Sequence, residues 1–374
     1  MRIALLTYST RPRGGVVHTL ALAEALVRAG QQVTVWSLAR GGDTGFYRPV
    51  DPRVELALVP YPEVTDEPFG DRVTRSVGLL GEAFARAGTT YDVVHAQDCI
   101  SANAVIAADP AIRCVRTVHH LDAFTTPQLV RCHETAIVGP QAHVCVSAAV
   151  AAEVRAGWGL HPVVIPNGVD SGRFGWAAGP DPTAVAARDR CRQRWGRYVV
   201  AVGGIEPRKG ALDLVEAMAL LRQRLPDVRL VVAGGDTLFD YRDYRRQVLE
   251  RADELAVEPS VLGPVAHDEL PAVVAGAAAL AFFSTKEGFG LAAMEALAAR
   301  VPVVARDLPV LREVLAGAAV FATDAAGLAD GLQQALEVPC PSRTAAGERL
   351  AGSHSWDVAA REHLRFYDRL AVAG

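Results

Sequence analysis

One supersecondary plan occurs twice in this chain, early in each half, and it restricts the fold more than any other feature. In the first half Ile3–Ser9 reads as a strand, RPRGGV as a glycine loop, His18–Gly30 as an amphipathic helix closed by glycine, and QVTVWSL as the next strand. In the second half Tyr198–Gly204 is the strand, IEPRKG the loop, Ala211–Leu225 the helix and Val228–Gly235 the returning strand. Alternation of this kind builds parallel sheets covered on both faces, with ligands beyond the carboxyl ends of the strands. The expected fold class is therefore α/β, with two Rossmann-like, doubly wound parallel-sheet domains facing a central cleft. A chain of 374 residues, half of them hydrophobic, supplies enough apolar surface for two cores. Pro, Gly and Asp cluster from Pro166 through the segment before Trp195, which places the domain switch near Ser171. The domains are then 1–170 and 171–355, and the final helix, Ser355–Leu370, is compatible with packing on either.

The stretch EGFGLAAME, Glu287 to Glu295, holds the strongest chemical signal. It lies between a strand at Ala278–Ser284 and another at Val301–Ala305, so it reads as a loop followed by a helix. That helix, lined by Leu291, Ala292, Ala293, Met294, Ala296 and Leu297, is apolar on nearly every face and should be buried. A buried Glu295 needs a partner. Gly288 and Gly290, on either side of Phe289, free the first helical amides to meet an anion such as a phosphate. Eight helical positions span roughly 12 Å, so the two glutamates grip different ends of an extended ligand. Read alone, the pair also fits a loop carboxylate at a helix dipole and a buried salt-bridge member.

Composition removes several classes. A net charge of −4 with interspersed arginines offers no basic tract for nucleic acid. The cysteines Cys99, Cys114, Cys132, Cys145, Cys191 and Cys340 form no C-x-x-C pair, which points to reduced thiols and a cytoplasmic protein. No apolar run is long enough to span a bilayer, and Thr65–Thr90 lacks a strongly basic amphipathic face. There is no HExxH, no G-x-S-x-G, no Walker loop and no G-x-G-x-x-G after either lead strand. No two aspartates stand two positions apart, so the expected site has no metal and no cofactor. These absences favour group transfer.

The chain resembles the retaining glycosyltransferases of family 4, with the GT-B fold, over essentially its whole length. The resemblance rests on the Glu287/Glu295 spacing, Gly14-Gly15 before a helix, TVHHLD at Thr117–Asp122, PNGVD at Pro166–Asp170, the EPRKG loop and the final SWDVA helix. It implies a metal-independent hexosyltransferase that uses a nucleotide diphosphate sugar as donor. It further implies that Glu287 contacts the donor sugar, Glu295 the ribose and Lys209 the diphosphate. Substrate contacts extend to Gly14, Gly15, Arg208, Gly288, Phe289, Gly290 and Leu291, and His119 lies near the sugar. The final helix, 356–374, crosses back to the N-terminal domain. The family loop carries Arg where this chain has Gly204, and Arg208 beside Lys209 is expected to supply that charge.

Among the remaining polar residues, His95 and Asp98 are candidates for acceptor contacts, with Asp98 equally suited to cap a helix. His18 can approach the ligand from the first helix, but is expected rather to cap or cover the start of that helix. A soluble glycoside and a lipid-linked acceptor both fit, the latter with peripheral membrane contact. Base preference depends on Gly234, Gly235 and Asp236. Two further readings stay open: a nucleotide-sugar epimerase on the same fold, and a nucleotide-sugar-binding protein with weakened catalysis.

Overall fold

The computed structural model describes residues 1–122, 124–234 and 241–372. The chain divides into unit 1, Met1–Gly168 with Trp356–Gly374, and unit 2, Val169–Ser355.

Unit 1 runs β1 (Arg2–Thr7), α1 (Gly14–Arg28), β2 (Gln32–Arg40), β3 (Glu55–Tyr61), α2 (Phe69–Arg86), β4 (Val93–Ala96), α3 (Cys99–Ala108), β5 (Cys114–Val118), α4 (Pro127–Val138), β6 (Ala142–Cys145), α5 (Ala148–Trp158) and β7 (Val163–Val164). Its strands form one parallel sheet in the order β3-β2-β1-β4-β5-β6-β7. The strand order reverses between β1 and β4, and a parallel sheet of this kind opens a crevice at that point, beyond its carboxyl edge. Strands such as β1 are apolar along their length because helices cover both faces; Ile3 to Leu6 are fully buried.

Unit 2 runs α6 (Ser171–Ala178), α7 (Pro182–Trp195), β8 (Tyr198–Val202), α8 (Ala211–Arg224), β9 (Arg229–Ala233), α9 (Arg242–Glu254), β10 (Ser260–Val261), α10 (Leu270–Gly276), β11 (Ala279–Phe282), α11 (Leu291–Ala298), β12 (Val303–Arg306), α12 (Pro309–Leu315), β13 (Ala319–Ala322), α13 (Ala325–Glu337) and α14 (Pro341–Ser353). The sheet order, β10-β9-β8-β11-β12-β13, repeats the plan of unit 1 with its own reversal between β8 and β11. Val199, Leu214, Met218, Leu221, Leu230 and Phe283 belong to its main core cluster. The last helix, α15 (Trp356–Val372), belongs to unit 1. Gly168 explains the close seating of its start, because a Cβ there would stand 2.5 Å from Trp356 Cα and its ring.

The strands end earlier than the apolar runs suggest. β8 stops at Val202 and β11 at Phe282, since the following residues leave the sheet to build loops. The first helix begins at Gly14, four residues before the expected His18, so Gly14 and Gly15 form its first turn and not a separate loop. Arg13 at its N-cap is extended (φ −121°, ψ 150°), and no side chain caps the helix.

Candidate functional site

In unit 2 the chain leaves β8 through Gly203, Gly204, Ile205 and Glu206, then makes one 3-10 turn over Pro207–Lys209. Gly210 ends that turn in the left-handed region at φ 64° and starts α8, with Phe283 O against the position a Cβ would take. The turn brings Lys209 Nζ to 2.5 Å from Glu287 Oε1. Ser284 Oγ donates to the same oxygen at 2.9 Å, and Arg208 Nη1 stands 3.7 Å from it. With 19% and 12% of the Lys209 and Glu287 side chains exposed, the pair is largely shielded from solvent. Burial opposes the ionisation of Glu287, but the charges of Lys209 and Arg208 and the hydrogen bonds from Lys209 and Ser284 outweigh it. Its carboxyl is held below the usual range and is ionised at neutral pH.

Beside this pair lies a pocket lined by Gly203, Gly204, Lys209, Phe282 and Ser284, among others. Its lining includes residues that follow the ends of β8 and β11, where the strand order of unit 2 reverses, and core residues such as Leu214 and Leu230. Gly204 presents only backbone here. Arg208 is engaged with Glu206, Nε to Oε2 at 3.2 Å, as well as approaching Glu287. Glu206, almost fully buried, is a member of the cluster that the sequence reading overlooked; its adjacency to PRKG was the available signal.

The second carboxylate sits on α11. Gly290 precedes the helix at φ 92°, with Leu311 Cδ2 3.1 Å and Phe282 Cε1 3.3 Å from an ideal Cβ, so a side chain would be both strained and crowded. No side chain caps α11, which leaves its first amides for a ligand. Phe289 is buried, its ring 6.0 Å from that of His354, and Gly288 is buried beside it while Leu291 is half-buried. Glu295 lies inside the helix and makes no hydrogen bond or ion pair among the described residues. Burial dominates its titration: Arg173 pulls its pKa down and Asp170 pushes it up, and the sum raises it from 4.5 to about 7.

In unit 1, His119 follows the carboxyl end of β5, and its ring lies 3.6 Å from where Gly15 would carry a Cβ. The structure thus brings Gly15 and His119 together. Around them is a histidine cluster that sequence could not reveal, because its members come from α1, β4, the loop after β5 and α15. The His18 ring centroid is 4.7 Å from His119, 5.3 Å from Trp356 and 6.2 Å from His363. His18 Nδ1 pairs with Asn167 Oδ1 at 2.8 Å, which makes it a buried packing residue and not a cover for the helix start. His95 is fully buried between Tyr367 Oη and Thr117 Oγ1, both at 2.7 Å, so it is unavailable to an acceptor. Asp98 caps α3 through a capping box with Ser101 and also accepts from Tyr8 N, which settles its role as structural. Burial, the largest cause in each case, lowers His18 to about 3 and His363 to about 4, and holds His95 and His119 well below 6.5. The Nε2 atoms of His18, His119 and His363 are buried without a hydrogen-bond partner among the described residues. His120 pairs with Asp122 at 2.9 Å.

Among the described residues no group of three or more His, Cys, Asp or Glu side chains is placed to hold a metal ion, and no helix is long and apolar enough to cross a membrane. Of the residues expected to bear on the base, Gly235 and Asp236 lie outside the described residues.

Residues 12–173 match the model of Glycosyltransferase Family 4, and residues 193–350 that of Glycosyl transferases group 1. The phosphatidyl-myo-inositol mannosyltransferase of Mycobacterium tuberculosis is 30% identical over 406 residues, covering 100% of this chain and 98% of that protein. The chain belongs to glycosyltransferase family 4. A second relative, the D-inositol 3-phosphate glycosyltransferase of Salinispora arenicola, is 29% identical over 415 residues, covering 100% and 92% of the two chains. Among solved structures, the sucrose-phosphate synthase of Thermosynechococcus elongatus shares the fold with a TM-score of 0.81 at 20% identity, covering 100% of both chains. Anabaena HepE in complex with UDP and glucose gives 0.76 at 20% identity, covering 99% and 100%. The protein is thus a GT-B glycosyltransferase of the nucleotide-sugar-dependent type, and the Glu287–Lys209 cluster lies in the half matched by the group 1 model.

Proposed function

We propose that this transferase moves a hexosyl group from a nucleoside diphosphate sugar to an acceptor hydroxyl with retention of anomeric configuration and without a metal ion. The observation that carries the reading is the contrast between the two carboxylates of unit 2. Glu287 is neutralised by Lys209 beside the pocket, whereas Glu295 has no protein partner among the described residues. A half-buried carboxylate without a donor is costly, and the two hydroxyls of a ribose would satisfy it.

The roles follow from the chemistry of each group. Lys209, Arg208 and the first amides of α11 meet the negative charge of the diphosphate. Glu287 fixes the Lys209 ammonium and accepts from hydroxyls of the sugar. Gly288 and Gly290 let the ligand approach the backbone, and Phe289 and Leu291 contribute main chain beside it. We assign His119, through Nε2, to the transferred sugar, and the turn at Gly14 and Gly15 to the same ligand. The acceptor oxygen bonds to the anomeric carbon on the face from which the phosphate oxygen departs, and its proton passes to that phosphate. No side chain is then needed as base, and the sequence holds no Asp-x-Asp element for a metal. Unit 1 binds the acceptor, and the reaction takes place in the cytoplasm.

The names of the relatives and the HepE complex make UDP-glucose the first donor to try, and a polyol or its phosphate ester the first acceptor. The test is a panel of nucleoside diphosphate sugars read by melting temperature, with Glu295→Ala as control. One donor should raise the melting temperature of the native chain and fail to do so in the variant. Absence of binding by every nucleotide and nucleotide sugar at millimolar concentration would refute the reading. Nucleoside diphosphate release that requires acceptor, with the product anomer assigned by NMR, separates transfer from epimerisation.

A further inference from the structure

Two cysteines remote in sequence meet where α3 and α4 of unit 1 pack together. Cys99 is the first residue of α3, directly after the Asp98 cap, and is half-buried, whereas Cys132 lies on α4 and is buried. Both are free thiols, and the Cys132 thiol donates a hydrogen bond to Cys99 Sγ. Asn103 holds the pair from one turn along α3. Its Nδ2 donates to Cys99 O at 2.8 Å and to Cys132 O at 2.7 Å, and stands 3.5 Å from Cys132 Sγ.

The cation that faces this pair is Arg116, in the middle of β5. Side chains alternate along a strand: Thr117 turns toward α15, where its Oγ1 meets His95 Nε2, and Arg116, between Cys114 and Val118, turns to the side covered by α3 and α4. Arg116 is only 5% exposed, and its Nε and Nη1 have no hydrogen-bond partner among the described residues. Asp98 does not neutralise it, being occupied by the amides of Tyr8 and Ser101. A buried guanidinium without an anion is costly. A thiolate at Cys99 supplies that anion.

The hydrogen bond from Cys132 and the charge of Arg116 hold the Cys99 thiol below its ordinary value, against the opposition of burial and of Asp98. The same hydrogen bond, together with burial, pushes the Cys132 thiol up. Burial and Arg116 lower His133, beside Cys132, so that it is neutral at pH 7 and adds no charge. The first amides of α3 favour a thiolate at Cys99 further. One sulfur is thus prepared as a nucleophile and the other is kept protonated next to it.

We propose that Cys99 and Cys132 form a peroxide-sensitive dithiol, with Cys99 as the attacking sulfur, Cys132 as the resolving one and Arg116 as the counter-charge. Cys99 Sγ attacks one oxygen of a hydroperoxide; the O–O bond breaks, a sulfenic acid forms and one water leaves. Cys132 Sγ then attacks Cys99 Sγ, the S–O bond breaks, a second water leaves and the disulfide closes. The two thiols lose two electrons, the peroxide gains them, and the two thiol protons depart in the waters. A reducing dithiol reopens the bond and becomes a disulfide itself. No step involves donor or acceptor, so the site is independent of the transferase reading.

The experiment treats the reduced full chain with stoichiometric hydrogen peroxide at pH 7 in the presence of a chelator. Thiols are counted after quenching, and linked peptides are identified by mass spectrometry without reduction. The six thiols of the native chain should fall by two, with one link between Cys99 and Cys132 that dithiothreitol reverses. In Cys132→Ala, dimedone should trap a sulfenic acid at Cys99; Cys99→Ser should leave Cys132 unmodified. Arg116→Gln should slow closure at least about tenfold, and Arg116→Lys should restore much of the rate. Denaturation in urea should slow closure in the native chain as well, because folding assembles the site. Retention of all six thiols, linkage of other cysteines, oxidation at Cys340 alone, or equal rates in native protein and Arg116→Gln would overturn the proposal. Melting of each variant reports its folding, and Arg116→Gln should melt no lower than the native chain because it removes an unpaired buried charge. Cys132→Ser replaces Cys132→Ala if the latter does not fold.

Discussion

Glu295 offers the most direct test of the donor half of the site, because its protonation is coupled to both stability and ligand binding. In the unfolded chain its carboxyl titrates near 4.5, and in the folded protein burial moves it to about 7. The folded state therefore holds this proton more tightly than the unfolded state. Below about pH 4.5 the group is neutral in both states and costs nothing. As pH rises from 4.5 to 7 the unfolded chain ionises first, and stability falls; above 7 the full penalty is present. At about 1.4 kcal/mol per pH unit the displacement corresponds to ~3 kcal/mol, and the remaining solvent contact of the side chain reduces this to ~2 kcal/mol. For a domain of this size that is about 4–8 °C in melting temperature. The assay is the melting temperature of native protein and Glu295→Gln from pH 5 to 8, with and without donor. All other titrating groups are common to both proteins, so the difference between the curves isolates Glu295, and it should change by this amount across the interval. If ribose hydroxyls donate to the carboxylate, donor affinity in the native protein rises about tenfold per pH unit up to pH 7 and then levels, while the variant binds weakly with no such slope. Parallel curves for the two proteins, free and bound, would refute the reasoning.

Lys209→Ala removes the closest cation from Glu287, so the Glu287 pKa should rise, and stability should fall by about 1–3 kcal/mol, less than for a fully buried pair because Arg208 stands 3.7 Å away. Turnover should drop at least about 100-fold through the lost charge at the diphosphate, measured as nucleoside diphosphate release. Gly210→Ala places a Cβ against Phe283 O at a φ of 64° and should cost about 2–4 kcal/mol in urea unfolding with an unchanged m value. His18 and His363, at about 3 and about 4, lie below the 6.5 of the unfolded chain, so their stabilisation is complete above pH 6.5 and is lost as pH falls below it. The urea midpoint should decline between pH 6.5 and 5, and His363→Phe should flatten that decline; an identical slope in the variant would rule out this histidine as a contributor.

The alternation of apolar strands and amphipathic helices was legible because period and burial are local properties. It identified two doubly wound parallel sheets, and the two strand orders bear this out. The ends of elements were less legible. At Gly14 the helix begins before its apolar stripe does, since glycine amides enter the first turn without any periodic signal. His95 and Asp98 looked available for ligands because they stand at the end of an apolar strand, where such sheets meet their ligands. Their real partners, Tyr367, Thr117 and Tyr8, are far along the chain.

By itself the sequence determined the fold class, the glutamate pair, the Lys209 loop and the family they resemble, because spacing within a strand-loop-helix unit fixes which groups share one end of a sheet. Only the tertiary structure decided how charge is distributed there. It joined Lys209 to Glu287 across 78 positions of sequence, gave Arg208 the overlooked Glu206 as partner, and left Glu295 unpaired among the described residues. It also gathered four histidines around α15. Electrostatic balance depends on distances between residues remote in sequence and on the water excluded between them, and neither quantity has a local signature.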